Sequence, residues 1–354
     1  MAGWSRVIFG LALAAALFCT GLAPQALAQE GGRVPGEAQG AQSDTDFWRA
    51  IRQGERGYVP IPNQQAQVLI QSEGEAWRSI RNGPLSTYGI WGLIGIVALL
   101  ALFFAVRGRI RLEHGRSGFT VTRFGFVDRA VHWLTATCFV VLALTGLNIL
   151  YGRYALKPLL GDQAFSTITL WGKYAHNYVA FGFMLGLILM LVLWVWFNLP
   201  SRHDFIWLLK GGGMFTRHTH PPATKFNAGQ KILFWLVILG GISVSLSGIM
   251  LMFPFELSMF GKTFEWINGV FGTSLPTAIP PIQEMQLAQV WHAIMGLVLT
   301  MVIIAHIYIG TIGMEGAFDA MGSGEVDENW AREHHSVWYE KLEKKGVVTT
   351  GGDD

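Results

Sequence analysis

Two histidines stand in one apolar stretch of this sequence, "VWHAIMGLVLTMVIIAHIYIG" at 290–310. His292 and His306 are fourteen positions apart, which on an α-helix corresponds to a rise of about 21 Å and a rotation about 40° short of four turns. Both rings therefore face the same side of the helix, one near each end of a bilayer's hydrocarbon layer. Ionisable side chains are costly there and usually face the interior of a helix bundle, where they meet a partner.

Two histidines in other apolar segments supply these partners. His132 opens the second predicted span and His176 opens the third. Because successive spans run in opposite directions, His176 is expected at the depth of His292, and His132 at the depth of His306. Two neutral imidazoles on facing helices are what bis-histidine ligation of a b-type haem requires. The four histidines therefore predict two haem b groups, with His176 and His292 as ligands of the outer iron and His132 and His306 as ligands of the inner iron.

Two glycines fit the same arrangement. Gly146 follows His132 by fourteen residues and shares its helix face, and Gly248 lies at a similar depth in the fourth span, which has no histidine. A flat macrocycle needs such surface without side chains. Small residues also allow helices to pack closely without any cofactor. Close packing is therefore the alternative interpretation of each glycine.

The composition indicates where these histidines must be held. Of 354 residues, 51% are hydrophobic and only 14% are charged, which is typical of an integral membrane protein. The formal net charge is +2, and no basic run with interleaved aromatic residues suggests a nucleic-acid partner. Cys19 and Cys138 are the only cysteines, so the chain has neither a cysteine set for an iron–sulfur cluster nor a C-x-x-C-H site for haem c.

Apolar runs and basic loops predict the topology. Five apolar segments are expected to span the membrane, at 88–106, 132–151, 174–198, 232–253 and 290–312. The loop after the first span carries six arginines and the loop after the third carries five basic residues, whereas the 254–289 loop has only Lys262. The positive-inside rule therefore places both basic loops in the cytoplasm of a bacterial cell. The protein is expected in the inner membrane, with its mature N-terminus in the periplasm and its C-terminus in the cytoplasm.

Composition and hydropathy divide the chain into predicted segments. The N-terminal leader has Arg6, a long apolar run and the small-residue site "ALA", which predicts a cleavable signal peptide. An uncleaved anchor is the alternative, because the run nearly reaches spanning length. The predicted segments are a signal peptide (1–28), a periplasmic segment (29–87), an extra transmembrane helix (88–106), a cytoplasmic basic loop (107–131), a four-helix di-haem bundle (132–312) and a cytoplasmic tail (313–354).

Six further histidines fall in predicted cytoplasmic segments. His218 and His220 belong to "RHTH", which could bind a metal weakly but is also typical of a solvated basic loop. His334 and His335 are expected to belong to an amphipathic tail that docks on the membrane surface or on a partner.

Several motifs resemble a known family. "RAVHWLTATCFVVLALTGL", "KFNAGQKILFW", "WAREHHSVWYEKL" and the 290–310 stretch are similar to the cytochrome b (gamma) subunit of membrane-bound formate dehydrogenase, over about residues 120–345. The wider family of di-haem cytochromes b includes the subunits that serve nickel–iron hydrogenases. "NAGQK" and the histidine-rich tail favour the formate dehydrogenase branch.

The resemblance implies an all-α membrane protein with a four-helix bundle and two haems b. It also implies electron transfer from an outer iron–sulfur subunit, fed by a molybdenum or tungsten catalytic subunit, to a quinone reduced at the cytoplasmic side. Formate would be oxidised on that catalytic subunit and not on this chain. In the family, the histidine matching His306 ligates the inner haem and lies beside the quinone. The residues matching Asn227 and Gly229 line the quinone pocket, and the polar side chain of Gln230 lies next to them.

The leader, the outer segment and the extra first span depart from the family pattern and leave partner contacts there open. Two other functions fit parts of the sequence. A hydrogenase cytochrome b belongs to the same class but has a different electron donor. A transporter with metal-binding or proton-relaying histidines belongs to another class, but such a transporter gives no reason for paired depths.

Overall fold

The computed structural model of the protein describes residues 74–216 and 218–347. The predicted signal peptide and most of the predicted periplasmic segment lie outside the described residues. Within them, five helices are long and apolar enough to cross a membrane, at Ala76–Arg107, Phe126–Ala155, Lys157–Phe197, Ala228–Met252 and Pro281–Gly313. The prediction of an all-α integral membrane protein with five spans is confirmed.

The described residues form eleven α-helices and two short β-strands. The helices are α1 (Gly74–Ile80), α2 (Ser86–Arg107), α3 (Phe126–Ala155), α4 (Lys157–Trp194), α5 (Arg202–Leu209), α6 (Ala228–Met252), α7 (Phe260–Phe271), α8 (Pro281–Tyr308), α9 (Asp319–Gly322), α10 (Glu328–His334) and α11 (Ser336–Glu343). Two short strands, β1 (Thr120–Thr122) and β2 (Glu325–Asp327), form one antiparallel pair. A π-helical turn at Arg81–Leu85 joins α1 to α2, and another at Ile309–Gly313 ends α8.

The spanning helices are longer than the apolar runs that predict them. The third span was expected at 174–198, but α4 begins at Lys157, so His176 lies well inside the helix. Residues 157–173 mix polar and apolar side chains, so they lie outside the predicted apolar run although they are part of α4. The helix changes direction at Gly161, whose φ of 77° a residue with a side chain rarely adopts.

The bundle packs as two helix pairs joined by a common core. α3 packs along α4, and α6 packs along α8. Buried side chains at the shared core come from α4 and α6, and include Phe183, Leu187, Phe234 and Ile238. Many other apolar side chains on the spans are exposed, as expected for surfaces that face lipid.

The extra helix α2 packs against α8, the helix that carries His292 and His306. A Cβ built at Gly89 would lie 2.5 Å from the Tyr151 hydroxyl and 2.7 Å from Leu297 Cδ1, so a larger residue would have to displace these side chains. The Tyr151 hydroxyl donates to the Ser86 carbonyl at 2.9 Å and joins the same helix to α3.

One end of the bundle, here called the loop end, is formed by loops 108–125 and 198–227 and covered by the C-terminal segment 314–344. β1 pairs with β2 across about two hundred positions of sequence, with Val121 opposite Val326. The Asp327 carboxylate accepts from the backbone N–H groups of Ser117 and Gly118 at 3.2 and 3.1 Å. The tail is therefore folded onto the chain's own loops.

This folding corrects the expectation for His334 and His335, which were predicted to lie in a tail that docks on the membrane surface or on a partner. The His334 ring packs on Trp330 of the same chain, with ring centroids 5.4 Å apart. The His335 ring is fully buried and its Nδ1 donates to the Thr224 carbonyl at 2.7 Å. The polarity of the tail concealed this contact, because the apolar partners of the tail lie far away in the sequence.

The opposite end is fastened by one buried carboxylate. Glu284, in the first turn of α8, is 1% exposed and accepts hydrogen bonds from the backbone N–H groups of Phe260 and Gly261 at 2.8 and 2.7 Å. The Ser258 hydroxyl donates to it as well, at 2.9 Å. A carboxylate that accepts the free N–H groups of a helix start stabilises that start, so Glu284 ties α7 to the helix that carries His292.

Candidate functional site

The structure brings the four membrane histidines together as two pairs. The ring centroids of His132 and His306 are 6.2 Å apart, with an angle of 68° between the ring planes. Those of His176 and His292 are 6.1 Å apart, at 66°. The first pair lies near the loop end and the second towards the opposite end, and the partners in each pair come from different helices.

In the second pair, hydrogen bonds orient both rings. His292 Nδ1 lies 2.9 Å from the Val244 carbonyl oxygen and therefore carries the proton. His176 Nδ1 lies 2.8 Å from Thr145 Oγ1, whose own hydrogen is donated to the Val141 carbonyl. Each Nδ1 is thus a donor, which leaves each Nε2 with a free lone pair. Histidines that ligate metals are held in this way by a bond at the other ring nitrogen.

A short repeated motif supplies these contacts. The tripeptide "LTG" in α3 and the tripeptide "LSG" in α6 each place a hydroxyl beside a histidine of the next spanning helix. Ser247 Oγ lies 3.1 Å from His292 Nδ1. A Cβ built at Gly146 would lie 3.4 Å from His176 Cε1, and one built at Gly248 would lie 3.2 Å from His292 Cε1. The two glycines were predicted from the sequence, whereas Thr145 and Ser247 were not, although this repeat could have revealed them.

The first pair is held differently. His132 Nδ1 is buried and has no hydrogen-bond partner among the described residues. The ring packs edge-on against Trp133, whose Nε1 donates to the Met321 carbonyl in the C-terminal segment at 2.9 Å. The tail therefore helps to fix the helix position that carries His132.

The ring spacing fits a metal between the two rings of each pair. A bond from a metal to an imidazole nitrogen is about 2 Å long, and that nitrogen lies roughly 1 Å from the centre of its ring. Two imidazoles that bind one metal from opposite sides therefore have centroids about 6 Å apart. Spacing alone does not define a haem site, because the rings of His220 and His334 at the loop end are also 6.2 Å apart. His220 Nε2, however, already lies 2.7 Å from a Glu113 carboxylate oxygen. The two membrane pairs, in contrast, lie among apolar helices. In the second pair, hydrogen bonds also orient the rings, and a glycine lies beside each ring. These features fit haem b.

The residues predicted to line a quinone pocket lie where α6 begins. Asn227 is the N-cap of α6: its side-chain oxygen accepts from the Gln230 N–H at 2.9 Å, and Gln230 Oε1 accepts from the Asn227 N–H at 3.1 Å. Gln230 Oε1 also accepts from Arg123 Nη2 at 3.2 Å. A Cβ at Gly229 would lie 2.9 Å from the ring of Trp207, so this glycine admits the indole.

The capping role that Asn favours at helix starts is therefore present. The cap uses the amide oxygen of Asn227 and leaves its NH₂ group as a donor. A structural role and a binding role are compatible at this residue.

The fold and the paired rings are those of a multi-pass membrane cytochrome b. The profile of one family, described as prokaryotic cytochrome b561, matches residues 123–324. This is more than half of the chain, and the chain belongs to that family. The match begins after α2, so the extra helix lies outside it.

Curated relatives cover the same part of the chain. The nitrate-inducible formate dehydrogenase cytochrome b556(Fdn) subunit of Escherichia coli K12 is 28% identical over 226 residues, which are 63% of this chain and 92% of the relative. The cytochrome b556(fdo) subunit of the same strain is 26% identical, over 64% and 94% of the two chains. The formate dehydrogenase cytochrome b556 subunit of Haemophilus influenzae is 24% identical, over 60% and 79%. These similarities confirm the resemblance that the sequence motifs indicate.

Proposed function

We propose that this chain is the membrane-anchoring cytochrome b subunit of a formate dehydrogenase complex. It passes electrons from a periplasmic iron–sulfur subunit, through two haem b groups, to a quinone reduced near the cytoplasmic face. A molybdenum or tungsten subunit of the same complex oxidises formate, and the chain itself has no formate-oxidising role. The names of the curated relatives support the choice of donor.

The observation that carries the proposal is the pairing of the four histidines. His132 and His306 would hold the inner haem iron, and His176 and His292 would hold the outer haem iron. Two bis-histidine haems supply one-electron redox centres at two depths of the membrane, which suits transfer across it.

The chain's own residues orient the ligands and exclude water. The Val244 carbonyl and the Thr145 hydroxyl hold the outer rings in the tautomer that presents Nε2. Gly146 and Gly248 keep space beside these rings free of side chains. Apolar helices surround both pairs, and the α2 helix covers one side of α8. A low-polarity surrounding and fixed ligand orientation are the means by which a protein tunes a haem.

The quinone is assigned to the loop end, beside the start of α6 and close to His306. Asn227, Gly229 and Gln230 form this proposed pocket. The Asn227 NH₂ group is available to donate to a quinone carbonyl, and Arg123 holds the Gln230 side chain. The position of these residues at the loop end and the polarity of the Asn227 and Gln230 side chains support a site where a quinone in the membrane can take up protons from the aqueous phase.

The loop end is assigned to the cytoplasmic face of the inner membrane, because both basic loops lie at this end of the bundle. The C-terminal segment lies at the same end, and the mature N-terminus is assigned to the periplasm. Residues 1–28 are assigned as a signal peptide, 29–87 as a periplasmic segment, 88–106 as an extra span, 107–131 as a cytoplasmic loop, 132–312 as the di-haem bundle and 313–354 as the tail.

Purification of the complex from native membranes tests this function. We expect formate dehydrogenase subunits to co-purify, formate to reduce a b-type spectrum, and a quinone analogue to reoxidise it. Co-purification of hydrogenase subunits, without formate dehydrogenase subunits, would agree with a cytochrome b function but would contradict the proposed electron donor. A preparation without haem would reject the function itself and favour a transporter.

A further inference from the structure

A network of ionisable side chains leads from the surface of the loop end to the proposed quinone pocket. At the surface, the Glu113 carboxylate lies between two histidines, with His218 Nδ1 and His220 Nε2 each 2.7 Å from one of its oxygens. All three residues are accessible to solvent. Hydrogen bonds from His220 and then from His218 lower the pKa of Glu113 below its ordinary value of 4.5, so the group is a carboxylate at neutral pH.

The next groups inward are two adjacent histidines of the C-terminal segment. The ring of His334 lies 6.2 Å from that of His220. His334 and His335 both pack on Trp330, with centroid distances of 5.4 and 5.1 Å. The Nε2 atoms of both histidines are buried and have no hydrogen-bond partner among the described residues. Buried polar atoms are nearly always hydrogen-bonded. The two Nε2 atoms are therefore available to bind a polar group or to accept a proton.

The inner end of the network is Arg123, which is 4% exposed and lies 4.8 Å from the centre of the Trp330 ring. Its Nη2 donates to Gln230 Oε1 at 3.2 Å and to the Lys225 carbonyl at 2.6 Å, while its Nε is buried without a partner. Arg123 therefore connects the packing around His335 with the proposed quinone pocket.

We propose that His334 and His335 form a proton relay that carries protons from the surface cluster of Glu113, His218 and His220 to the quinone beside Gln230. This inference rests on the proposed quinone site. Reduction of a quinone to a quinol takes up two electrons and two protons. The electrons come from the donor subunits and the protons come from the aqueous phase at the loop end.

The chemistry of each transfer follows from the hydrogen bonds. His335 Nδ1–H stays donated to the Thr224 carbonyl, so the ring accepts a proton on Nε2 and releases it from the same nitrogen. His334 also offers Nε2. Arg123 is a positioning residue, since it holds Gln230 and keeps its own proton.

Burial is the main reason that the two rings are neutral at rest. Burial lowers the pKa of His334 to about 4, with Glu333 raising it and His220 and Arg123 lowering it further. Burial also lowers the pKa of His335 well below its ordinary value, and Arg123 and His334 act in the same direction. A neutral ring has a lone pair to accept a proton and does not retain it.

The test uses the purified complex and the His334→Gln and Glu113→Gln variants. Formate-reduced haem is mixed with a quinone analogue, and the rate of reoxidation is followed against pH in H₂O and D₂O. We expect His334→Gln to slow reoxidation by about 100-fold at alkaline pH, with a larger solvent isotope effect, and Glu113→Gln to slow it less. Added imidazole should restore the rate of His334→Gln, which a purely structural role would not allow.

Matched controls separate the possible failures. His203→Gln makes the same substitution on α5, at a histidine that is not a member of the network, and should behave like the wild type. Haem content, reduction by formate and affinity for a quinone-site inhibitor should be unchanged in every variant. Normal reoxidation by His334→Gln at all pH values would overturn the relay. A wild-type complex whose haem is not reoxidised by the quinone would overturn the quinone function, and the relay with it.

Discussion

Gly248 lies directly beside the ring of His292, and a Cβ built at Gly248 would meet His292 Cε1 at 3.2 Å. Gly146 has the same relationship to His176, at 3.4 Å. The two contacts come from different helices and face the two rings of one pair. A surface without side chains therefore lies beside each member of the outer pair.

Gly248→Leu tests whether this surface serves a cofactor. The larger side chain should displace His292 or occupy space beside it, so that about half of the haem is lost while the inner haem remains. The haem-to-protein ratio of the purified complex measures this. Gly95→Leu is the matched control, because Gly95 is exposed on α2, which carries no histidine, and a Cβ built there meets no atom within 4 Å. Full haem content in Gly248→Leu would remove the argument from the glycines.

Thr145→Val tests the orientation of His176. The substitution keeps the shape of the side chain but removes the acceptor for His176 Nδ1, so affinity for the outer haem should fall by about 10-fold or more. Haem retention during dilution or competition with apomyoglobin measures the effect. Thr300→Val is the control, because Thr300 Oγ1 donates to the carbonyl of Gly296 in its own helix. Equal haem retention in both variants would contradict a role for Thr145.

Asn227→Ser separates the cap from the proposed quinone contact. Serine is also a favoured N-cap residue, but it lacks the amide NH₂ group. We expect Asn227→Ser to keep thermal stability close to the wild type and to slow reoxidation of haem by a quinone analogue. Asn227→Ala should slow reoxidation and also lower the stability by about 1 kcal/mol. Normal reoxidation in both variants would leave Asn227 with the cap alone.

Glu284→Ala should release α7 from the start of α8. The backbone N–H groups of Phe260 and Gly261 and the Ser258 hydroxyl would all lose their charged acceptor, which should cost about 2 kcal/mol or more of stability. Thermal unfolding and proteolysis in the 254–280 loop measure this. Unchanged protection of the loop would show that other contacts hold α7.

The docked tail should open in acid. Because the folded-state pKa of His334 is lowered from 6.5 to about 4, its contribution to stability is fully present above pH 6.5 and is lost as the pH falls towards 4. Proteolysis of the 314–344 segment should therefore accelerate over this range, and less steeply in His334→Gln. A pH-independent cleavage rate would contradict the burial of a neutral ring.

The five spans could be predicted because the bilayer requires long apolar runs, which are local in the sequence. Helix ends could not be predicted as well: Lys157 begins α4, although the apolar run starts much later. The pairing of Val121 with Val326 and the burial of His335 depend on contacts between distant segments, which no local pattern encodes.

The site divides in the same way. The sequence spacing predicts the two pairs of rings that the structure brings together, because fourteen residues return a helix nearly to the same face. Their role as ligands stays a prediction. The hydroxyl of Thr145 and the Val244 carbonyl act across helices, so they become visible only when the packing is known. Asn227 shows the opposite difficulty, since its cap and its proposed binding role share one side chain.

The proposed di-haem function is tested most directly by the haem stoichiometry of the purified complex and of its histidine variants, determined by pyridine haemochrome analysis and redox titration. We expect two non-covalent haem b groups per chain in the wild type. One spectral component should be lost in His176→Ala and in His292→Ala, and the other in His132→Ala. A single haem per chain, or loss of the same component in His132→Ala and His292→Ala, would contradict the assignment of the four histidines.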